Sequence, residues 1–197
     1  AQLGAFERIF NATAGGAISI GLSGAGGFLD LSLRTDTDDP VRLEDRGLTS
    51  AISIIGTNLN DTLSGSTFDD RLTGGNGSDF LSGAGGNDTL DGGGGNDTID
   101  VGQAGYQTAT GGAGNDVFLA AANQELAIQG IVDGGSGTDT VRGAYLSDIV
   151  FINCERLDAE SVVATLDQLN SFATIFSSSS PQSKIFIFAD GDGGAID

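Results

Sequence analysis

Between Gly56 and Asp100 a large apolar residue returns at every ninth position: Leu63, Leu72, Leu81, Leu90 and Ile99. Two places before each stands an aspartate: Asp61, Asp70, Asp79, Asp88 and Asp97. A glycine opens each frame, at Gly56, Gly65, Gly74, Gly83 and Gly92. The five frames, "GTNLNDTLS", "GSTFDDRLT", "GGNGSDFLS", "GAGGNDTLD" and "GGGGNDTID", abut without a slip. Two more stand apart, "GGAGNDVFL" from Gly111 and "GGSGTDTVR" from Gly134, adding Asp116 and Asp139 with Phe118 and Val141 as inward residues. This pattern predicts a glycine-rich turn followed by a short strand with one inward apolar side chain. Such a coil cannot bury its face alone, so the coils must stack.

Outside the frames the apolar pattern stays strand-like. "AISIGL" and "FLDLSLR" alternate, "TDTDDP" is a turn, and "AISII" leads directly into the first frame and caps the stack. "LAIQGIVD" and "DIVFINCERLDA" add coils on the far side. Val163, Leu166, Leu169 and Phe172 recur at helical spacing and predict a short helix. The expected organisation is three segments: β-rich coils over 1–55, the repeated frames over 56–142, and a β-rich segment with a short helix over 143–197.

Composition narrows the partners. The chain has 27 acidic residues against 8 basic ones and no histidine, a net charge of -19 over 197 residues. That charge repels nucleic acid and anionic membranes and favours cations. A disordered acidic tail is a poor description, since 39% of the residues are hydrophobic and many keep register with the turns. No apolar run is long enough to span a bilayer, so direct membrane insertion is not expected. Cys154 is the only cysteine, which excludes an internal disulfide and a thiolate cluster. In "VFINCERL" it reads as a small buried hydrophobe. Without histidine the Ser/His and Cys/His triads and the HExxH zinc site are impossible, GxSxG is absent, and no enzymatic activity is expected.

The frames resemble the RTX, or haemolysin-type, calcium-binding repeat, GGxGxDxUx with U a large apolar residue. The likeness is closest from Gly74 to Asp100. It implies an all-β fold, a right-handed parallel β-roll or β-helix solenoid in which two nonapeptides make one turn. Loops 18 residues apart then share an edge. The resemblance puts Asp61, Asp79, Asp97, Asp116 and Asp139 on one edge, and Asp70 and Asp88 on the other. The acid-free "VGQAGYQTAT" continues the roll without a normal calcium turn.

The resemblance also implies several bound calcium ions (Ca2+). Ligands would be carbonyls from the second and fourth places of one loop and the first and third of the next, with both aspartates. Carried over, one site uses Gly75, Gly77 and Asp79 with Gly92, Gly94 and Asp97. A second uses Gly93, Gly95 and Asp97 with Gly111, Ala113 and Asp116. On the other edge Ser66, Phe68 and Asp70 meet Gly83, Gly85 and Asp88. Asp61 with Asp79, and Asp116 with Asp139, would form further sites, although Asn58 and Leu59 depart from the glycine pattern and an insertion precedes Asp139. The competing reading of all these aspartates is local capping of turns. Asn87, Asn96 and Asn115 are expected to form turns rather than to bind metal.

A longer repeat joins the two ends. "QLGAFERIF" from Gln2 matches "QLNSFATIF" from Gln168 at an offset of 166, and "ISIGLSGAGGFLD" from Ile18 matches "IFIFADGDGGAID" from Ile185 at 167. The chain reads as one unit and the opening of the next, a piece of a larger tandem array; this would put Ala1 inside the short helix. A degenerate duplication within one domain is the alternative. "DGDGG" at Asp190–Gly194 could hold a cation but misses the EF-hand pattern. The family resemblance implies a secreted or cell-surface protein, exported from a Gram-negative bacterium by type I secretion. Two parents fit: a surface-layer or adhesin-like protein with neighbouring copies of the repeat as partners, or a secreted protease, lipase or polysaccharide-modifying enzyme carrying a calcium-dependent module.

Overall fold

The computed structural model describes residues 6–13, 18–32, 41–120, 128–143, 146, 149–159, 161–164, 172–176 and 186–189. From Ile18 to Asp158 the described strands alternate between two facing sheets and pair in parallel, each coil giving one strand to each, and Thr174–Phe176 adds a further strand to one of them. It is an all-β, right-handed parallel β-roll. One sheet, of ten strands, orders Phe6–Thr13, Ile18–Gly24, Val41–Leu48, Thr62–Ser64, Phe80–Ser82, Thr98–Asp100, Val117–Leu119, Thr140–Arg142, Arg156–Asp158 and Thr174–Phe176. The other runs from Gly27–Asp30 through Ile52–Ile55, Arg71–Asn76, Thr89–Gly94, Gly105–Ala113 and Ile128–Ser136 to Ile149–Ile152.

The nine-residue period produces this alternation. Three strand residues present one side chain inward and two outward, and the turn reverses the chain into the other sheet. Inward residues therefore stack in two rows. Leu43, Leu63, Leu81, Ile99, Phe118, Val141 and Leu157 align in one sheet. Leu29, Ile54, Leu72, Leu90, Ala109, Val132 and Phe151 align in the other. Most are fully buried. Because each sheet gives each level one inward side chain, few neighbours can take over its volume. Leu81→Ala is expected to cost about 2–5 kcal/mol, read as a lower midpoint in denaturant titration with calcium present. A loss below roughly 1 kcal/mol would mean that the level collapses around the gap.

The irregular spacings fall where the sheets tolerate them. Leu90 pairs with Ala109 and Ile99 with Phe118, so the extra residue lies in the turn before Gly105–Ala113. The longer insertion falls in sequence between Val117–Leu119 and Ile128–Ser136, and both of these strands keep register with their neighbours. "VGQAGYQTAT" continues the roll, as expected. Cys154 is buried, and burial pushes its thiol up to about 12, so it stays a neutral packing group.

The expected short helix is corrected. Ser161–Ala164, which contains Val163, is a strand paired in parallel with Phe186–Ala189. The adjacent β-branched Val162 and Val163 favour extended backbone, and pairing settles it. Leu166 and Leu169 lie outside the described residues. The related N-terminal stretch Phe6–Thr13 is likewise a strand, in an antiparallel pair with Ile18–Gly24. Ala1, the turn at 35–40 and Asp190–Gly194 also lie outside them. Among the described residues no helix is long and apolar enough to cross a membrane.

Candidate metal centre

Each glycine-rich turn folds its aspartate inward just before the next strand begins. Asp61, Asp70, Asp79, Asp88, Asp97, Asp116 and Asp139 are all at most 2% exposed. Turns that pass from the seven-stranded to the ten-stranded sheet carry Asp61, Asp79, Asp97, Asp116 and Asp139; turns passing the other way carry Asp70 and Asp88. Within each ladder the backbone N–H of one aspartate donates to Oδ1 of the aspartate on the next coil. The distances are 2.6 Å for Asp61 to Asp79 and 2.8 Å for Asp79 to Asp97, Asp97 to Asp116 and Asp116 to Asp139. Asp70 donates to Asp88 at 2.9 Å. One carboxylate oxygen of each aspartate thus joins neighbouring coils.

The second oxygen is different. Oδ2 of Asp79, Asp88, Asp97, Asp116 and Asp139 is buried without a hydrogen-bond partner. A buried carboxylate oxygen in that state is costly unless a cation or a proton meets it. The surrounding backbone supplies more oxygen. A Cβ placed on Gly92 would lie 2.6 Å from the Gly111 carbonyl and against Asp97 Oδ2; one on Gly74 would meet the Gly92 carbonyl and Asp79 Oδ2 likewise. At Gly111 the pair is the Gly134 carbonyl and Asp116 Oδ2. The first-place glycine therefore keeps open a small space on which a carboxylate and a carbonyl of the next coil converge. Hard oxygens of this kind suit calcium, which takes about six to eight of them.

The glycines at the second and fourth places stack backbone on backbone. A Cβ on Gly93 would overlap the Gly75 carbonyl, and one on Gly95 the Gly77 carbonyl. Gly93 also has φ +99°, a conformation that side chains disfavour. Among the third-place residues, the Gly94 carbonyl accepts the Gly77 N–H at 2.8 Å and the Ala113 carbonyl the Gly95 N–H at 2.7 Å. Each keeps a second lone pair. On the opposite edge the Ser66 carbonyl accepts the Gly85 N–H at 3.0 Å, and the Phe68 carbonyl lies beneath Gly86. A Cβ on Gly83 would run into the Asp88 carboxylate, while one on Gly85 would make only an ordinary contact with Thr67.

Burial raises the carboxyl pKa values above the usual range, to about 7 for Asp79 and about 6 for Asp88 and Asp116. Asp70, Asp97 and Asp139 shift the same way, again chiefly through burial. Like charges add to it: Asp97 and Asp61 face Asp79, and Asp97 and Asp139 face Asp116.

Three features escaped the sequence reading. Glu155 continues the aspartate ladder, its Oε2 accepting the Asp139 N–H at 2.8 Å. The clue was its place two residues before the buried Leu157. Gln107 occupies the next rung after Asp88 and is buried, its Nε2 donating to the Gly86 carbonyl at 3.0 Å. Thr57 and Ser66 donate to Asp61 and Asp70. The fifth-place residues link successive coils: Asn87, Asn96 and Asn115 accept the backbone N–H of Tyr106, Asn115 and Thr138 on the following coil. Among the described residues no three side chains of the His, Cys, Asp and Glu types gather into one cluster. The arrangement is a repeated turn site of carboxylate and carbonyl oxygens.

The model of the RTX calcium-binding nonapeptide repeat matches the chain in 4 copies, over residues 55–90, 73–105 and 101–123. The match covers less than half of the chain and coincides with the most regular coils. No curated protein and no solved structure matches.

Proposed function

Starting from the RTX calcium-binding nonapeptide repeats of residues 55–123, a structural rather than catalytic module, we propose that this chain is a calcium-folded, rigid segment of a secreted or cell-surface protein. The carrying observation is the set of five buried Oδ2 atoms without partners. Those of Asp79, Asp97 and Asp116 sit beside the first-place carbonyl of the next coil, and calcium bridging these coils would meet them in the same way. The ligand sets inferred from the family, Gly75, Gly77 and Asp79 with Gly92, Gly94 and Asp97, then the corresponding residues up to Asp116, fit this geometry.

The same reading accounts for where folding would happen. A fold that needs calcium stays open where free calcium is low, so the chain can be exported unfolded; millimolar calcium outside then traps the roll. With one cysteine in the chain, no oxidising compartment is needed first. A tandem surface protein is favoured as the parent. The matching segments Arg8–Phe10 and Thr174–Phe176 lie in the two outermost strands of the same sheet. Successive units would therefore meet end to end.

The test is a calorimetric count of bound calcium in two variants. Asp97 stands between two coils of its ladder, so Asp97→Ala is expected to lose two ions. Asp139 stands where the ladder passes to Glu155, and Asp139→Ala is expected to lose at most one. No calcium uptake by the unaltered chain would sink the proposal outright. Equal losses in the two variants would refute the bridging arrangement.

A further inference from the structure

The residue at the second place sorts the seven turns into two kinds. In the turns of Asp79, Asp88, Asp97, Asp116 and Asp139 it is Gly75, Ala84, Gly93, Gly112 and Gly135, with φ of +117°, +73°, +99°, +107° and +95°. In those same five turns Oδ2 has no partner. In the turns of Asp61 and Asp70 it is Thr57 and Ser66, neither with positive φ. There Oδ2 is already satisfied. Thr57 donates its backbone N–H to Asp61 Oδ2 at 2.6 Å and its hydroxyl at 2.9 Å. Ser66 donates to Asp70 Oδ2 at 2.5 Å through N–H and at 2.9 Å through its hydroxyl. Oδ1 of these two aspartates accepts the Val41 and Ile52 N–H at 2.7 and 2.8 Å.

These donors change what the site can hold. Two donors on one carboxylate oxygen use its lone pairs and aim positive hydrogens into the space that a cation would take. A hydroxyl can rotate to offer a lone pair, but a backbone N–H cannot. We propose that the Asp61 and Asp70 turns are calcium-independent, Thr57 and Ser66 standing in for the ion, and that calcium is required only from the Asp79 and Asp88 turns onward. This rests on the calcium-binding function proposed above and alters its ligand set. Ser66, Phe68 and Asp70 then form no calcium site with Gly83, Gly85 and Asp88, and Asp61 forms none with Asp79. Both self-satisfied turns carry the first repeat aspartate of their edge, and each aspartate is bonded back to an earlier strand, at Val41 and Ile52. They complete the part of the roll that needs no metal, on which the calcium-requiring coils add.

Counting calcium by calorimetry tests this. Asp61→Asn and Asp70→Asn are expected to leave the number of ions unchanged, whereas Asp79→Asn lowers it. Thr57→Gly and Ser66→Gly remove the hydroxyl donors and let the second place take the positive φ of the other five turns, which draws its N–H away from Oδ2; each is expected to gain an ion. Calcium uptake with fewer ions in Asp61→Asn or Asp70→Asn would overturn the inference, as would unchanged counts in folded Thr57→Gly and Ser66→Gly. If the glycine variants do not fold in calcium, the asparagine pair still decides. Absence of calcium uptake in the unaltered chain would instead refute the calcium reading on which this rests.

Discussion

Stripped of calcium at neutral pH, the protein is expected to lose most of its β circular-dichroism signal, and to regain it when millimolar calcium is added. Leaving a buried polar group unpaired costs about 1–3 kcal/mol, and more for a charged one. Five such carboxylate oxygens therefore rival the whole net stability of an ordinary domain, about 5–15 kcal/mol. The hydrophobic rows cannot compensate easily, because each level holds one inward side chain per strand. Calcium reverses the balance by binding the folded form alone: each site adds roughly 4 kcal/mol when the free ion exceeds its Kd a thousandfold. Magnesium should restore little, since it demands about six ligands at shorter, stricter octahedral geometry than a stack of carbonyls can adopt. Circular dichroism in chelator, then in calcium, then in magnesium reads the effect. An unchanged β signal in chelator would show that the carboxylates tolerate burial without metal.

Acid is expected to replace calcium in part. Lowering the pH from about 8 to about 5 in chelator should bring back β signal. The sign follows from the shifted carboxyls: about 7 for Asp79 and about 6 for Asp88 and Asp116 when folded, against about 3.9 unfolded. Between those values the folded state binds more protons, so its stability is greatest below the unfolded pKa and is lost as pH rises through the folded one. A protonated Oδ2 can donate to the neighbouring carbonyl of the next coil, and the mutual repulsion of Asp61, Asp79 and Asp97 falls. With calcium present the dependence reverses, because protons compete with the ion for the carboxylates. Melting curves across this pH range, with chelator and with calcium, should slope in opposite directions. A chelated protein equally unfolded at both ends would show that protonation does not satisfy these turns.

The nine-residue period and the inward apolar residues were legible in the sequence. Both are local or strictly periodic. A turn of glycines and a strand of three residues leave one register that buries Leu63, Leu72, Leu81, Leu90 and Ile99 together. The family resemblance supplied the 18-residue coil, the two edges of aspartates and the calcium chemistry.

What the sequence could not reveal depends on contacts across coils. Thr57 and Ser66 look like minor departures from glycine, but the fold decides that their N–H and hydroxyl reach the carboxylate four residues on. Glu155 enters the ladder although its coil is shorter than the repeat, because sheet pairing of Val141 with Leu157 holds it opposite Asp139. The helical spacing of Val163, Leu166, Leu169 and Phe172 was a real local signal. Around Val163 it lost to β-pairing with Phe186–Ala189, since a strand partner satisfies the backbone as well as a helix does and suits paired valines better. Local sequence by itself determined the repeating coil. Tertiary stacking decided which oxygens were left without partners, because an Oδ2 is satisfied or orphaned only by the donors that the turn and its neighbouring coils bring to it.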